Sequence, residues 1–392
     1  MAEHCDVVIV GGAVVGSAAA YFLSAHPGFT GSVRVIEADP SYQWCATTRS
    51  VASIRHQFST PGNIRMSQFG TLFVRDIARH LAVDGNKPDV GFREAGYLFL
   101  ASASGLPVLR SNHAVQRECG VDVALLSPSE LAQRFAWLST DDLAGGSLGL
   151  SGEGWLDAHS LMHALRRKAR TQGVAYQGAR ATGLVRHGHH IDAVVLDDGT
   201  QLQCGLVINA AGTGAAALAR TAGIDLPVQS RKRCVFHFDS PASAPGCPLV
   251  IDPSGVYFRP EGTGFLCGVA LPQDQDPQCV DFDVQHALFD DLIWPTLAQR
   301  VPGFEAARVR NAWAGHYDVN VLDHNLILGA HPQVDNLLFA NGFSGHGLQQ
   351  SPAVGRALAE LVVAGRFETL DLAEFGWSRV LENRPLREIN VV

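Results

Sequence analysis

The 392-residue chain has no C-x-x-C pair among its eight cysteines, no basic excess and no low-complexity run. Each absence removes a class of protein. Cys5, Cys45, Cys119, Cys204, Cys234, Cys247, Cys267 and Cys279 recur at no fixed interval, which excludes a zinc ribbon or a disulfide framework and leaves buried free thiols. A net charge of -8, spread along the chain, argues against a nucleic-acid partner. The longest apolar stretch, Val7 to Leu23, approaches a membrane span in length but is broken by Gly11, Gly12 and Gly16, so no integral membrane span is expected. Four residues precede the first apolar run, which predicts no signal or transit peptide and a cytoplasmic protein. Charged residues at 17% and apolar residues at 46% suit a globular enzyme of two domains.

The opening residues carry the first positive signal. Asp6 to Val10 is a short β-branched run of the kind buried in a parallel sheet. It leads into Gly11-Gly12-Ala13-Val14-Val15-Gly16, then a helix-forming stretch from Ser17 to Ser24 and a second strand, Val33 to Ile36, closed by Glu37. Strand, glycine turn, helix, strand and acid make a dinucleotide-binding unit. Gly11 permits the tight turn, small residues let amide groups approach a pyrophosphate at the helix N-terminus, and Gly16 lets helix and strand pack closely. Glu37 can accept from a ribose hydroxyl, which argues against NADP. Ala13 replaces the middle glycine of the motif.

Further on, short strands at residues 183–186, 190–196 and 201–204 surround an Asp-Gly turn and lead to Leu206-Val-Ile-Asn-Ala-Ala-Gly212. Asn336 to Arg356 reads as a strand, the glycine-rich bend Gly342-Phe-Ser-Gly-His-Gly347, and a helix with Ala357, Leu358, Leu361 and Val362 on one face. That places a second helix N-terminus against the ligand.

These segments resemble the D-amino-acid oxidase-like family of FAD-dependent oxidoreductases, which includes sarcosine and glycine oxidases and D-amino-acid dehydrogenases. The resemblance spans nearly the whole chain through Val7–Leu23, Arg34–Asp39, Thr47–Asn63, Val207–Gly212, Tyr257–Gly262, Trp313–Val319 and Asn341–Gly355. The last is the most specific. The chain also looks like a subfamily that includes a mitochondrial respiratory-complex assembly factor, and like D-arginine-type dehydrogenases over Asn209–Arg233. The implied fold is α/β: a Rossmann-like FAD-binding domain (residues 1–80, 150–215 and 320–380) interleaved with an α+β substrate domain on an antiparallel sheet (81–149 and 216–319).

The resemblance implies non-covalent FAD held by Gly11, Gly12, Ala13, Val14, Val15, Gly16, Glu37 and Ala38. Thr47, Thr48, Arg49 and Ser50 would reach its phosphates and ribityl chain, with Ala211 and Gly212 beside it. Gly342, Ser344, Gly345, His346, Gly347, Leu348 and Gln349 would face the flavin ring. Arg55, His56, Tyr317 and His346 are the candidate catalytic residues. Arg55 matches an arginine that clamps a substrate carboxylate, with Arg49 an alternative, and Tyr317 matches a pocket tyrosine or packs in the core. Arg259 is expected in a salt bridge at the rim, with a place facing the pocket as the alternative.

Three departures qualify the match. Gly315 stands where sarcosine oxidase anchors its flavin on cysteine, and Arg49 or Ser50 where another branch uses histidine. Leu266 replaces a lysine that speeds reaction with oxygen, and Gln349 replaces a second carboxylate-binding lysine. The implied activity is oxidation of a small amine or amino acid to an imine, by a dehydrogenase more than a fast oxidase. A quinone, an electron-transfer protein or oxygen could accept the electrons. A flavin-folded assembly factor and a 2-hydroxy-acid dehydrogenase are the alternatives. His187, His189 and His190 read as a solvated turn with no metal, and the basic run Arg166 to Arg170 as the end of a helix opened by Asp157 and Ser160.

Overall fold

The computed structural model describes residues 4–389. Its first sheet has the strand order Ile327–Ala330, Leu337–Asn341, Gln201–Asn209, His4–Val10, Val33–Glu37 and Ala175–Gly178. The four pairings from Leu337–Asn341 across to Ala175–Gly178 are parallel, with Val8 opposite both Val207 and Arg34. Strands buried on both faces need covers on both. The helices Val14–Ser24, Ala158–Thr171 and Gly347–Ala364 cover one face. A hairpin of Ala181–His187 and His190–Leu196, the short helix Ala215–Thr221 and Trp377 cover the other. Gln201 to Asn209 is a single strand, where sequence reading broke it in two: its first half serves the hairpin and its second half the parallel sheet.

The second sheet runs Arg308–Asn320, Val228–Asp239, Gly264–Val269, Val256–Glu261, Leu249–Ile251, Tyr97–Ala101, Gly145–Gly149 and Val123–Leu126. It is antiparallel except where Leu249–Ile251 meets Tyr97–Ala101. Phe236, Phe238, Phe258, Phe265 and Phe304 fill its core. The architecture is the α/β fold, Rossmann-like sheet beside a largely antiparallel one, that the sequence implied. Among the described residues no helix is long and apolar enough to cross a membrane.

One contact fixes the two helices that frame the site. Gly355 in the late helix lies against Ala18 of the opening helix so closely that a Cβ would sit 2.6 Å from the Ala18 carbonyl carbon. Ala18, Ala19 and Ala20 are fully buried there. A side chain at Gly355 would regain helix propensity of about 1 kcal/mol relative to glycine, but it has no room against backbone. Gly355→Val is expected to destabilise the protein by roughly 3 kcal/mol. A wild-type urea midpoint in that variant would show the interface to be loose.

Candidate active site

Both helices begin at a cavity of about 500 Å³ at the carboxyl ends of the parallel strands. Gly11 ends the first strand at φ 100°, and a Cβ there would lie 2.3 Å from the Ala210 carbonyl oxygen. Gly16 has its own reason: a Cβ would fall 1.8 Å from the Gly11 oxygen, closing the turn that the helix stands on. Ala13 is the N-cap, and Gly11, Ala13, Val14 and Val15 line the cavity. The first-turn amides therefore open toward it. Glu37 and Ala38 line it too, and the Glu37 carboxylate also braces the turn, accepting from Gly12 N at 2.7 Å and Asp39 N at 2.8 Å.

Thr47, Ser50, Ala211, Gly212, Tyr317, Gly345, Gly347 and Leu348 complete the sequence-predicted set that the cavity wall contains. Sequence reading missed Trp44, Arg180, Phe282, His316 and Asp318, which lie on the same wall. Asp318 and His316 flank Tyr317 in a segment already singled out, so adjacency was the available signal. The buried Asp318 carboxylate accepts from the Gly342 and Phe343 amides at 2.8 and 3.3 Å and shapes the bend, and burial pushes its pKa up to about 6. Tyr317 packs on Gly345, where a Cβ would lie 2.5 Å from its ring, and carries the Arg233 guanidinium 5.0 Å above its ring centre.

Other predicted residues are turned elsewhere. The Thr48 hydroxyl donates to Tyr42 O at 2.6 Å, inside its own loop. Arg49 lies over Trp44 and Phe282 and donates to Ala314 O, so it fastens the loop instead of reaching inward. Arg259 is buried, not at a rim: besides Glu261 it holds Val51 O at 2.9 and 3.1 Å. His56 is a core histidine. Its ring bonds Thr71 at 2.8 Å and packs on Gly152, and burial lowers its pKa to about 4, which keeps it neutral and away from the cavity. His187 meets the Asp192 carboxylate, a partner that sequence reading did not foresee; among the described residues no three such side chains gather to hold a metal.

Arg55, His346 and Gln349 form one buried group behind the bend. Arg55 is 5% exposed, and its backbone N–H donates to Gln349 Oε1 at 2.8 Å. Its guanidinium donates to Gln57 O at 2.5 Å and to His346 Nε2 at 3.1 Å, and stacks on Phe58 at 4.0 Å. A guanidinium has only donors, so His346 Nε2 must be the unprotonated nitrogen. Burial and the Arg55 charge hold that imidazole neutral. The ring of His346 and the amide of Gln349 thus serve Arg55, and only the His346 backbone caps the helix.

The arrangement fits an elongated cofactor with an anionic centre: two helix N-termini, a glycine turn without side chains, and an acid at the ribose end all share one cavity. This is the class of dinucleotide-dependent oxidoreductases. The chain belongs to the FAD dependent oxidoreductase family, whose model matches residues 6–361. It is 42% identical to FAD-dependent oxidoreductase domain-containing protein 1 of Xenopus laevis, over 100% of this chain and 85% of that one. It is 23% identical to monomeric sarcosine oxidase of a Bacillus species over the full length of both. Among solved structures it is similar to an L-proline dehydrogenase from P. horikoshii, with TM-score 0.87, 22% identity and 98% and 100% of the two chains covered. Glycine oxidase from Geobacillus kaustophilus gives TM-score 0.81 and 24% identity over 95% and 98%. FAD is therefore the cofactor of the family to which the chain belongs.

Two outcomes follow. Gly16→Ala should cut flavin retention at least about tenfold, read as the ratio of visible to ultraviolet absorbance; an equally yellow variant would refute the turn geometry. Asp318 has a folded pKa above its unfolded one, so its stabilising effect is full below the unfolded value and lost as pH rises through about 6. Asp318→Asn keeps an oxygen for both amides without that titration. Between pH 4 and 7.5 wild type should lose up to about 3 kcal/mol relative to the variant, at fixed flavin concentration. A gap that does not change with pH would count against the buried charge.

Proposed function

We propose that the protein oxidises the C–N bond of a small amine bearing a carboxylate, an amino acid or imino acid, to the imine, and passes the electrons on as a dehydrogenase. The observation that carries this reading is Arg55. Its guanidinium is buried with no carboxylate in ion-pair contact among the described residues, and it is held by neutral acceptors. Such a cation is costly unless an anion arrives to pair with it, and a planar fork suits a carboxylate. The similar proteins, a sarcosine oxidase, a glycine oxidase and an L-proline dehydrogenase, support the same substrate class.

FAD when bound supplies a two-electron acceptor for the hydride on the carbon next to nitrogen. The residues of the chain bind and orient. Arg55 fixes the substrate carboxylate, with its own rotamer set by Gln57, His346 and Phe58. Tyr317 stands between the main cavity and two small pockets beside Arg233, where it shapes the substrate's other end. The N-terminus of Gly347–Ala364 offers donors to charge that develops on the ring. No acid–base pair is required if the amine enters unprotonated, so catalysis rests on positioning. Gly315 carries no anchoring side chain, in keeping with non-covalent FAD, and the absence of a cation at the buried Leu266 is in keeping with slow reaction with oxygen.

The test is a screen of D-amino acids, N-methyl amino acids and cyclic imino acids, with an artificial dye and with oxygen alone. At least one should bleach the flavin and reduce the dye faster than oxygen. Arg55→Met should lower kcat/KM for that substrate by roughly 100-fold or more, mostly through KM. If every amine leaves the flavin oxidised, the catalytic reading falls and a binding role replaces it.

A further inference from the structure

The buried polar group around Arg55 extends to a carboxyl that the mechanism above does not use. Glu153 lies between the strands Gly145–Gly149 and Gly154–Trp155 and is fully buried. The chain makes room for it with glycine: a Cβ at Gly149 would sit 1.8 Å from Glu153 Oε2. Glu153 Oε1 accepts from the His56 amide and Oε2 accepts from Gln57 Nε2 at 2.8 Å. Gln57 Nε2 also donates to Tyr97 O at 2.9 Å, and the Gln57 carbonyl receives the Arg55 guanidinium. Two opposite charges are therefore buried on either side of one glutamine, with no direct contact between them.

Gln57 Oε1 is buried with no hydrogen-bond partner. Such an orphan acceptor calls for an explanation. A half-turn of the Gln57 amide would present Oε1 to the O–H of a protonated Glu153, at the cost of the bond from Nε2 to Tyr97 O.

We infer that Glu153 is a positioning residue for Arg55, taking up a proton from solvent when a substrate carboxylate pairs with the guanidinium, with the Gln57 side chain adjusting between them. The proton goes to a Glu153 oxygen and no other bond changes. The inference rests on the carboxylate-clamp reading of Arg55. Its logic is charge balance: Arg55 is the cation that supports an ionised Glu153, and a bound carboxylate claims it. The other groups facing this cluster do not compete. The His56 ring is neutral and turned onto Thr71, Glu94 is paired with Arg75, and Glu388 is held by Ser59, Thr60 and Asn63. Burial holds the hydroxyls of Tyr97 and Tyr317 protonated. Burial also pushes the Glu153 pKa up to about 7, which puts the exchange within the working range.

The test uses FAD-loaded wild type, Glu153→Gln and Arg55→Met. Acetate is titrated by flavin absorbance from pH 6 to 8.5, with acetamide as the neutral control. Wild-type Kd for acetate should be flat at the acid end and weaken about tenfold per pH unit well above pH 7, with uptake of about one proton at pH about 8.5 seen by calorimetry in two buffers of different ionisation heat. Glu153→Gln should bind acetate with a Kd that varies less than about threefold over the range. A pH-independent wild-type Kd, or binding without proton uptake, would overturn the inference. If Glu153→Gln does not fold, the wild-type calorimetry decides alone. Unaltered acetate binding by Arg55→Met would instead remove the clamp reading itself, a distinct failure.

Discussion

The site depends on a helix-to-helix contact that has room for no side chain on the late helix. Gly355 rests on Ala18, so the opening helix and the late helix approach closely there. Because each begins at the end of a strand in the same parallel sheet, locking their middles also locks their N-termini. Both ends then deliver amide groups to one cavity. A methyl group at that contact would push apart the two helix N-termini that open on the cavity. Gly70 does the same for a third helix, Pro61–Arg75, where a Cβ would meet the Gln349 carbonyl oxygen at 2.2 Å.

The second layer of organisation is the loop at residues 44–52. It is held by backbone contacts from the other sheet: Arg49 to Ala314 O, Trp313 Nε1 to Arg49 O at 2.9 Å, and Arg259 to Val51 O. Ala52 sits at φ 55°, a conformation that a lone alanine avoids, and the arginine clamp on its neighbour sustains it. The arginines that sequence reading weighed as substrate ligands are therefore divided by geometry. Arg49 donates to Ala314 O and Arg259 to Val51 O and Glu261, while Arg55 is buried against Gln57 O and His346 Nε2 with no ion-pair partner among the described residues.

What was legible in the sequence was local. A glycine turn between a β-branched strand and an alanine-rich helix states its own conformation, because φ, helix propensity and close packing all act within a few residues. The second bend, around Gly345, was legible for the same reason. Side-chain direction was not. His346 sits in the most telling motif, yet its ring faces Arg55, nearly three hundred residues earlier in the chain. His56 adjoins Arg55, and successive residues of an extended chain point to opposite sides, which sends one to the bend and the other to Thr71. Glu153, in Ser-Gly-Glu-Gly, carries no local signal, and only the fold buries it.

The order of the strands carries a consequence for biosynthesis. The first strand is flanked by Val33–Glu37 on one side and by Gln201–Asn209 on the other, and the latter pairs in turn with Leu337–Asn341. During translation, the first strand finds Val33–Glu37 early but must wait for its second neighbour from mid-chain, and the cavity lacks its closing wall until Leu348 has left the ribosome. The cavity is thus completed only when most of the chain is available, and until then the first strand keeps one edge unpaired.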